Sequence, residues 1–214
     1  MTSRIGIMGG MFDPVHHGHI EVALAALNLL QLDQLRIVPC SIPNHREEAL
    51  CTPVQRLEML RLATQGNSKI IIDSQELDRA GVSYSYDTLV SIRAETRPSI
   101  LFLILGIDAF SSLPHWHRWG ELFELCHFSV FSRPGYSLYS ESGIYLELKR
   151  RQVTSLECFS KSIAGKIIIF DDFEIHTSSS VVRKRLGANQ PVENLLAPEV
   201  AKYLSDHKLY IGNL

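Results

Sequence analysis

The eleven residues from Gly9 to His19, G-G-M-F-D-P-V-H-H-G-H, limit the folds open to this chain more than any other segment. The apolar stretch Arg4-Ile5-Gly6-Ile7-Met8 precedes them and reads as a buried strand, while Ile20, Ala23, Leu24, Leu27 and Leu30 follow at helical spacing. The unit is strand, loop, helix. Gly9 and Gly10 permit a sharp turn and a close approach of a ligand to the backbone, and Pro14 fixes one φ angle. His19 falls near the first turn of the helix, where unpaired N–H groups and the helix dipole favour an anion. His16 and His19, three apart across Gly18, can converge on one group at the helix mouth while His17 points elsewhere. Imidazoles there, neutral or protonated, are donors for a phosphate whose charge grows during a reaction. The same residues admit plainer readings. A histidine near a helix start is often a cap or a surface residue, and Asp13, His16, His17 and His19 are all metal-ligand types. No C-x-x-C or H-x-x-x-H pair accompanies them, so no protein metal site is expected.

Further along the chain, strands alternate with helices. Candidate strands are Arg4–Met8, Leu35–Pro39, Lys69–Asp73, Ser99–Leu105, His127–Ser132 and Lys166–Phe170. Most are rich in Ile, Val, Leu or Phe with little alternation, as expected for strands buried on both faces. Helical pattern covers Gly18–Leu30, Pro53–Thr64, Tyr86–Glu95 and Ala197–Asp206. This order predicts an α/β fold, a doubly wound parallel sheet with helices on both faces. Ligands of such sheets bind beyond the carboxyl ends of the strands, where the strand order reverses. The stretch from Gly135 to Gly165 reads as a helix with flanking loops and is assigned no function.

Composition narrows the function classes. At 214 residues and 45% hydrophobic content the chain can bury one good core, so residues 1–214 are read as a single domain. A formal charge of −2 offers no general attraction for nucleic acid, which favours a small phosphorylated ligand over a polymer. Cys40, Cys51, Cys126 and Cys158 have no pairing pattern, and the N-terminus runs straight into a strand, which suggests a cytoplasmic protein with reduced thiols. No apolar run reaches the length of a membrane span.

A second anion site is suggested near the C-terminus. Ser178, Ser179 and Ser180 precede Val181, Val182 and Leu186 and the basic set Arg183, Lys184 and Arg185, so a helix is expected to start among the serines. Arg183, one turn in, can present a fork of permanently charged donors to a phosphate tail. The plainer alternative is a Ser-capped helix with a solvated basic face.

Taken with these features, G-G-x-F-D-P-x-H-x-G-H resembles the H-x-G-H nucleotidyltransferase superfamily, and nearly the whole chain resembles its bacterial nicotinate-nucleotide adenylyltransferase branch. The resemblance is carried further by Ile42-Pro43-Asn44-His45-Arg46, Ser83-Tyr84-Ser85-Tyr86-Asp87-Thr88, Gly106-Ile107-Asp108, Pro114-His115-Trp116, Ser132-Arg133-Pro134-Gly135 and Thr177-Ser178-Ser179-Ser180-Val181-Val182-Arg183. It implies a Rossmann-like fold and transfer of the adenylyl group of ATP, brought in with Mg²⁺, to nicotinate mononucleotide in NAD biosynthesis. Pyrophosphate would leave by direct in-line displacement, since the sequence requires no covalent nucleophile. His16, His19 and Arg183 are the expected catalytic residues. ATP is expected on Gly9, Gly10, Met11, Phe12, Asp13, His16, Gly18, His19, Gly106, Asp108, Ser178, Ser179, Ser180 and Arg183. The β and γ phosphates are implied at the serine segment. Asp13 is read as positioning its turn, or else as holding a water on Mg²⁺; Asp108 as facing the adenosine ribose, or else as capping a short helix.

Acceptor binding is expected on His45, Arg46, Tyr84, Ser85, Trp116 and Arg133. The Trp116 indole would stack on the pyridine ring, and Ser85 with the amides of Tyr84–Tyr86 would receive its carboxylate, which predicts preference for acid over amide. Trp119 is read as packing. Arg46 and Arg133 are candidates for phosphate or adenine-side contacts, or are surface ion-pair partners. Partners are thus small molecules, with neither nucleic acid nor membrane, and self-association into a homo-oligomer is compatible with the sequence. The chain departs from the family pattern at Met11, Asn44, Ser85, Thr177 and Ser180, and Met11 removes a hydroxyl from the phosphate loop. Two alternatives stay open: a sister adenylyltransferase acting on nicotinamide mononucleotide or phosphopantetheine, and a non-catalytic dinucleotide-binding regulator.

Overall fold

The computed structural model describes residues 2–42, 49–79, 81–96, 98–132, 143–173 and 177–211. Six strands, β1 (Ser3–Gly10), β2 (Gln34–Pro39), β3 (Ile70–Ile72), β4 (Ser99–Gly106), β5 (His127–Phe131) and β6 (Ile167–Phe170), form one sheet in the order β3-β2-β1-β4-β5-β6. Every pairing is parallel. The order reverses between β1 and β4, so a crevice opens beyond the C-terminal ends of these two strands.

Side-chain alternation along the strands explains why both faces are apolar. In β4, Phe102 and Ile104 enter one core and Leu101, Leu103 and Leu105 the other. The first core takes Val22, Ala23, Ala26 and Leu27 from α1 (His17–Leu29) and Met59 and Leu60 from α2 (Pro53–Ala63). It is completed by Val182 from α8 (Ser179–Gly187) and by Val200 and Leu204 from α9 (Pro198–Asp206). On the opposite face Leu89 and Ile92 of α4 (Ser85–Glu95), Phe110 of α5 (Ile107–Ser111), Leu122 of α6 (Leu122–Leu125) and Ile144 and Leu148 of α7 (Gly143–Arg151) pack together. Gly6, central in β1, is closely packed: a Cβ there would meet Leu32 Cδ1 at 2.6 Å and Ile104 Cδ1 at 2.9 Å, so these two side chains would have to shift.

All six expected strands and all four expected helices are present, with ends displaced by one or two residues. The short helices α3 (Gln75–Arg79) and α6, of five and four residues, were not expected and are too brief to carry a helical repeat, while α5 is the short helix that one reading of Asp108 allowed. In the stretch assigned no function, α7 is followed by a 3-10 segment, Leu156–Lys161. Of the four cysteines, Cys51 and Cys126 are buried and Cys40 and Cys158 half-buried. Among the described residues no helix is long and apolar enough to cross a membrane.

Candidate active site

The first loop leaves β1 at the crevice. Gly9 and Gly10, expected on the turn, are instead the last residues of the strand, because their pairing with Val38 and Pro39 of β2 continues to the end. The reversal begins at Met11 and passes through Phe12, whose φ of 52° lies in the left-handed region. Phe12 lies against Gly10, where a Cβ would come within 2.9 Å of the ring, whereas a Cβ on Gly9 would meet nothing within 4 Å. Gly9 is exposed, so the backbone there is open to a ligand. The Asp13–Pro14 peptide is cis.

His16 and His19 do converge. Their rings stack with centroids 3.8 Å apart and planes at 27°, and Phe12 meets the His19 ring edge-on at 5.0 Å. The His16 N–H donates to His19 Nδ1 at 3.3 Å. With Nδ1 an acceptor, Nε2 carries the hydrogen of the neutral His19 ring. His16 is 6% exposed, and its buried Nδ1 faces the first turn of α1 in a capping-box arrangement with His19. Burial, with a smaller contribution from nearby His17, lowers its pKa to about 4, so the ring is neutral near pH 7. His17 turns away as expected: its N–H donates to the Leu195 carbonyl at 2.9 Å, and its Nδ1 lies 3.2 Å from the Asn194 carbonyl. Gly18 is buried in the first turn of α1.

Asp13 positions backbone, but not that of its own turn. Its carboxylate accepts from Leu50 N at 2.8 Å, Cys51 N at 3.1 Å and the Tyr210 hydroxyl at 2.5 Å, joining the loop to the approach of α2 and to the C-terminal segment. With these three donors taken up and the side chain 3% exposed, Asp13 is not arranged to hold a water on a cation. Arg56 is a site residue that sequence reasoning missed. Its guanidinium is 1% exposed and donates to the Met11 carbonyl through Nη1 and the Cys40 carbonyl through Nη2, both at 2.8 Å, which clamps the loop to the end of β2. Met11 also brings its thioether to 3.6 Å from Cys40 Sγ.

The serine segment closes the same crevice. Ser178 is the N-cap of α8 and accepts from Val181 N at 3.3 Å, Ser179 donates to the Pro14 carbonyl at 2.9 Å, and Ser180 is exposed. Two of the three hydroxyls therefore hold α8 in place, so what they leave for an anion is the start of the helix itself. Half-buried Arg183 uses Nη1 on the Asp13 carbonyl at 2.7 Å. The first loop and the start of α8 are thus bonded to each other. Thr177, just before the cap, has a buried hydroxyl oxygen with no partner among the described residues.

Across the crevice, exposed Gly106 is the N-cap of α5. Asp108 lies in the first turn, exposed at the same rim and not in the capping position. Tyr84 is the N-cap of α4 and Ser85 its first residue. Trp116 is half-buried, with Nε1 donating to Ser112 Oγ at 3.3 Å, and the neighbouring His117 ring lies 4.4 Å from that of Tyr84. Trp119 packs on Phe123, as read from the sequence. His45, Arg46 and Arg133 lie outside the described residues.

A cytidylyltransferase-like family profile matches residues 7–185, from β1 through α8. A protein of Pseudomonas syringae pv. tomato named "Probable nicotinate-nucleotide adenylyltransferase" is 41% identical over 211 residues, covering 98% of this chain and 95% of that protein. A protein of the same name from Methylococcus capsulatus is 39% identical over 207 residues, covering 96% and 99%. Among solved structures, Plasmodium falciparum nicotinic acid mononucleotide adenylyltransferase complexed with NaAD superposes with a TM-score of 0.73, covering 99% of this chain and 98% of that one. At 21% identity that likeness establishes the fold.

Proposed function

Because the chain belongs to the nicotinate-nucleotide adenylyltransferase family, within the cytidylyltransferase-like proteins, we propose that it transfers the adenylyl group of Mg-ATP to nicotinate mononucleotide. The 5′-phosphate oxygen of the acceptor attacks the α phosphorus, and the bond from that phosphorus to the oxygen bridging to the β phosphate breaks. That oxygen leaves with the electron pair as pyrophosphate, and nicotinate adenine dinucleotide forms. The attacking oxygen is already anionic, so no base has to ionise it.

The observation that carries this reading is the stacked His16–His19 pair beside the open backbone of Gly9. A transfer of this kind is accelerated by positioning and by donors aimed at growing negative charge. His19 Nε2–H is one such donor for the α phosphate. His16 supports its ring from the buried side of the stack. Arg183 spends one donor on the Asp13 carbonyl and has others for the β and γ phosphates, alongside the start of α8. Exposed Gly106 and Asp108 face the nucleoside side of the crevice. Mg²⁺ enters this proposal as the companion of the triphosphate. The pyridine carboxylate is received by Ser85 and the first amides of α4, and the ring lies on Trp116. His45, Arg46 and Arg133 belong to the same proposal as acceptor contacts, and the single-domain organisation of residues 1–214 and a cytoplasmic location go with it.

Pyrophosphate release with Mg-ATP tests the acceptor, with nicotinate mononucleotide, nicotinamide mononucleotide and phosphopantetheine offered separately. Turnover of the first in clear preference supports the proposal. Preference for either of the others assigns the chain to a sister activity, and no turnover with any of them leaves a binding protein.

A further inference from the structure

Glu76 takes no part in the phosphate chemistry, yet it is among the most buried charged residues of the chain, 7% exposed on α3. Its carboxylate gathers hydroxyls from two sides of one short segment. Thr88 Oγ1 donates to Glu76 Oε1 at 2.5 Å, and the Ser83 hydroxyl is a second hydrogen-bond partner. Each hydroxyl is held from behind: Thr88 Oγ1 accepts from Arg79 Nη2 at 3.1 Å, and Ser83 Oγ accepts from Ser41 N at 2.8 Å, just past the end of β2. Burial raises the carboxyl pKa, and the bonds from Thr88 and Ser83 and the nearby Arg79 oppose that rise.

Ser83 and Thr88 bracket Tyr84 and Ser85, the N-cap and first residue of α4. The Tyr84 side chain makes no capping hydrogen bond, so the segment does not fix its own helix start in the usual way. Glu76 does so from outside, by tying the residue before the cap and a residue of the first turn to one carboxylate. A buried charge is weak evidence for stability, since an apolar residue of similar size often serves as well. Holding one backbone register is the better account of it.

We propose that Glu76 is a positioning residue for acceptor recognition: through Ser83 and Thr88 it aims the start of α4 at the pyridine carboxylate and so sets the preference for acid over amide. This rests on the reading that Ser85 and the adjoining amides receive that carboxylate. Glu76 itself does not touch the substrate. Its effect is therefore confined to the acceptor and leaves the ATP side, built on α1 and α8, unchanged.

The test varies ATP and nicotinate mononucleotide in turn for the wild type, Glu76→Gln and Thr88→Val. Replacing the carboxylate by an amide weakens two charge-assisted bonds, so Glu76→Gln is expected to raise KM for nicotinate mononucleotide about tenfold. KM for ATP should stay within about twofold, kcat within about threefold, and the acid-to-amide ratio of kcat/KM should fall. Thr88→Val, which removes one of the two hydroxyls on the Glu76 carboxylate together with the bond that hydroxyl accepts from Arg79, should raise the same KM about threefold, and it carries the test by itself if Glu76→Gln does not fold. An unchanged acceptor KM in the folded variants overturns the proposal. So does a joint deterioration of both KM values and kcat, which is the mark of a purely structural residue. A wild-type protein that turns over no nicotinate mononucleotide overturns the underlying functional reading, and that result is visible before any variant is assayed.

Discussion

Acidification should destabilise this protein through histidines buried in the neutral form, and His127 provides the clearest case. It is the first residue of β5 and is fully buried. Lys166 N donates to its Nδ1 at 3.0 Å, so Nε2 carries the hydrogen and donates to the Ser162 carbonyl at 3.1 Å. Burial, with Arg93 and Lys166 adding to it, lowers the pKa from 6.5 to about 4, although the bond to Ser162 opposes the change. Between these two values the unfolded chain binds a proton that the folded chain does not, so stability falls as pH falls through that window. At about 1.4 kcal/mol per pH unit, the full loss is ~3 kcal/mol, of which about 2.5 kcal/mol has gone by about pH 4.5. His16, with its pKa also at about 4, lies beyond the opposite end of the parallel sheet and adds a similar loss over the same range. Urea unfolding of the wild type and His127→Gln from about pH 7.5 to about pH 4.5 isolates the His127 share. Whatever the variant costs at neutral pH, its disadvantage should shrink by about 2.5 kcal/mol at the acid end. Parallel stability curves for the two proteins would refute the assignment of a neutral, doubly bonded His127.

Three further outcomes are expected. Arg56→Met leaves the half-buried Met11 and Cys40 carbonyls without their charged donor; a loss of about 3 kcal/mol in denaturant titration is expected, whereas a loss under about 1 kcal/mol would mean the clamp is not needed. Tyr210→Phe removes one of three donors to Asp13, and the unfolding midpoint should register about 2 kcal/mol of destabilisation, the range for a bond to a charged group. Exchange of labelled pyrophosphate into ATP should require the acceptor, because direct displacement forms no adenylyl-enzyme; exchange with ATP alone would point to a covalent intermediate.

The sheet was legible because its strands are covered on both faces and read as continuous apolar runs, Ser99–Gly106 most clearly. In the site, the divergence of His17 from His16 and His19 followed from helical spacing alone. What escaped the sequence depends on partners far apart in the chain. Asp13 meets Leu50 across 37 positions and Tyr210 across 197, and Arg56 reaches Met11 across 45. Nothing at Arg56 distinguishes it from any arginine on an exposed helix face until α2 is packed beneath the first loop. Glu76 was hidden for another reason, since a five-residue helix leaves no periodic trace. The serines following Thr177 were read correctly as a helix start, yet two of their hydroxyls serve α8 and Pro14, a distinction that only bond partners reveal.

The central claim is that the His16–His19 pair drives adenylyl transfer to nicotinate mononucleotide. Chromatographic measurement of product from Mg-ATP and nicotinate mononucleotide, for wild type and His19→Ala in parallel with ATP binding, tests it most directly. Nicotinate adenine dinucleotide and pyrophosphate should appear in equal amounts with the wild type, and kcat should fall about a hundredfold or more in the variant while ATP still binds. Near-normal dinucleotide formation by His19→Ala, or none by the wild type, would contradict the account.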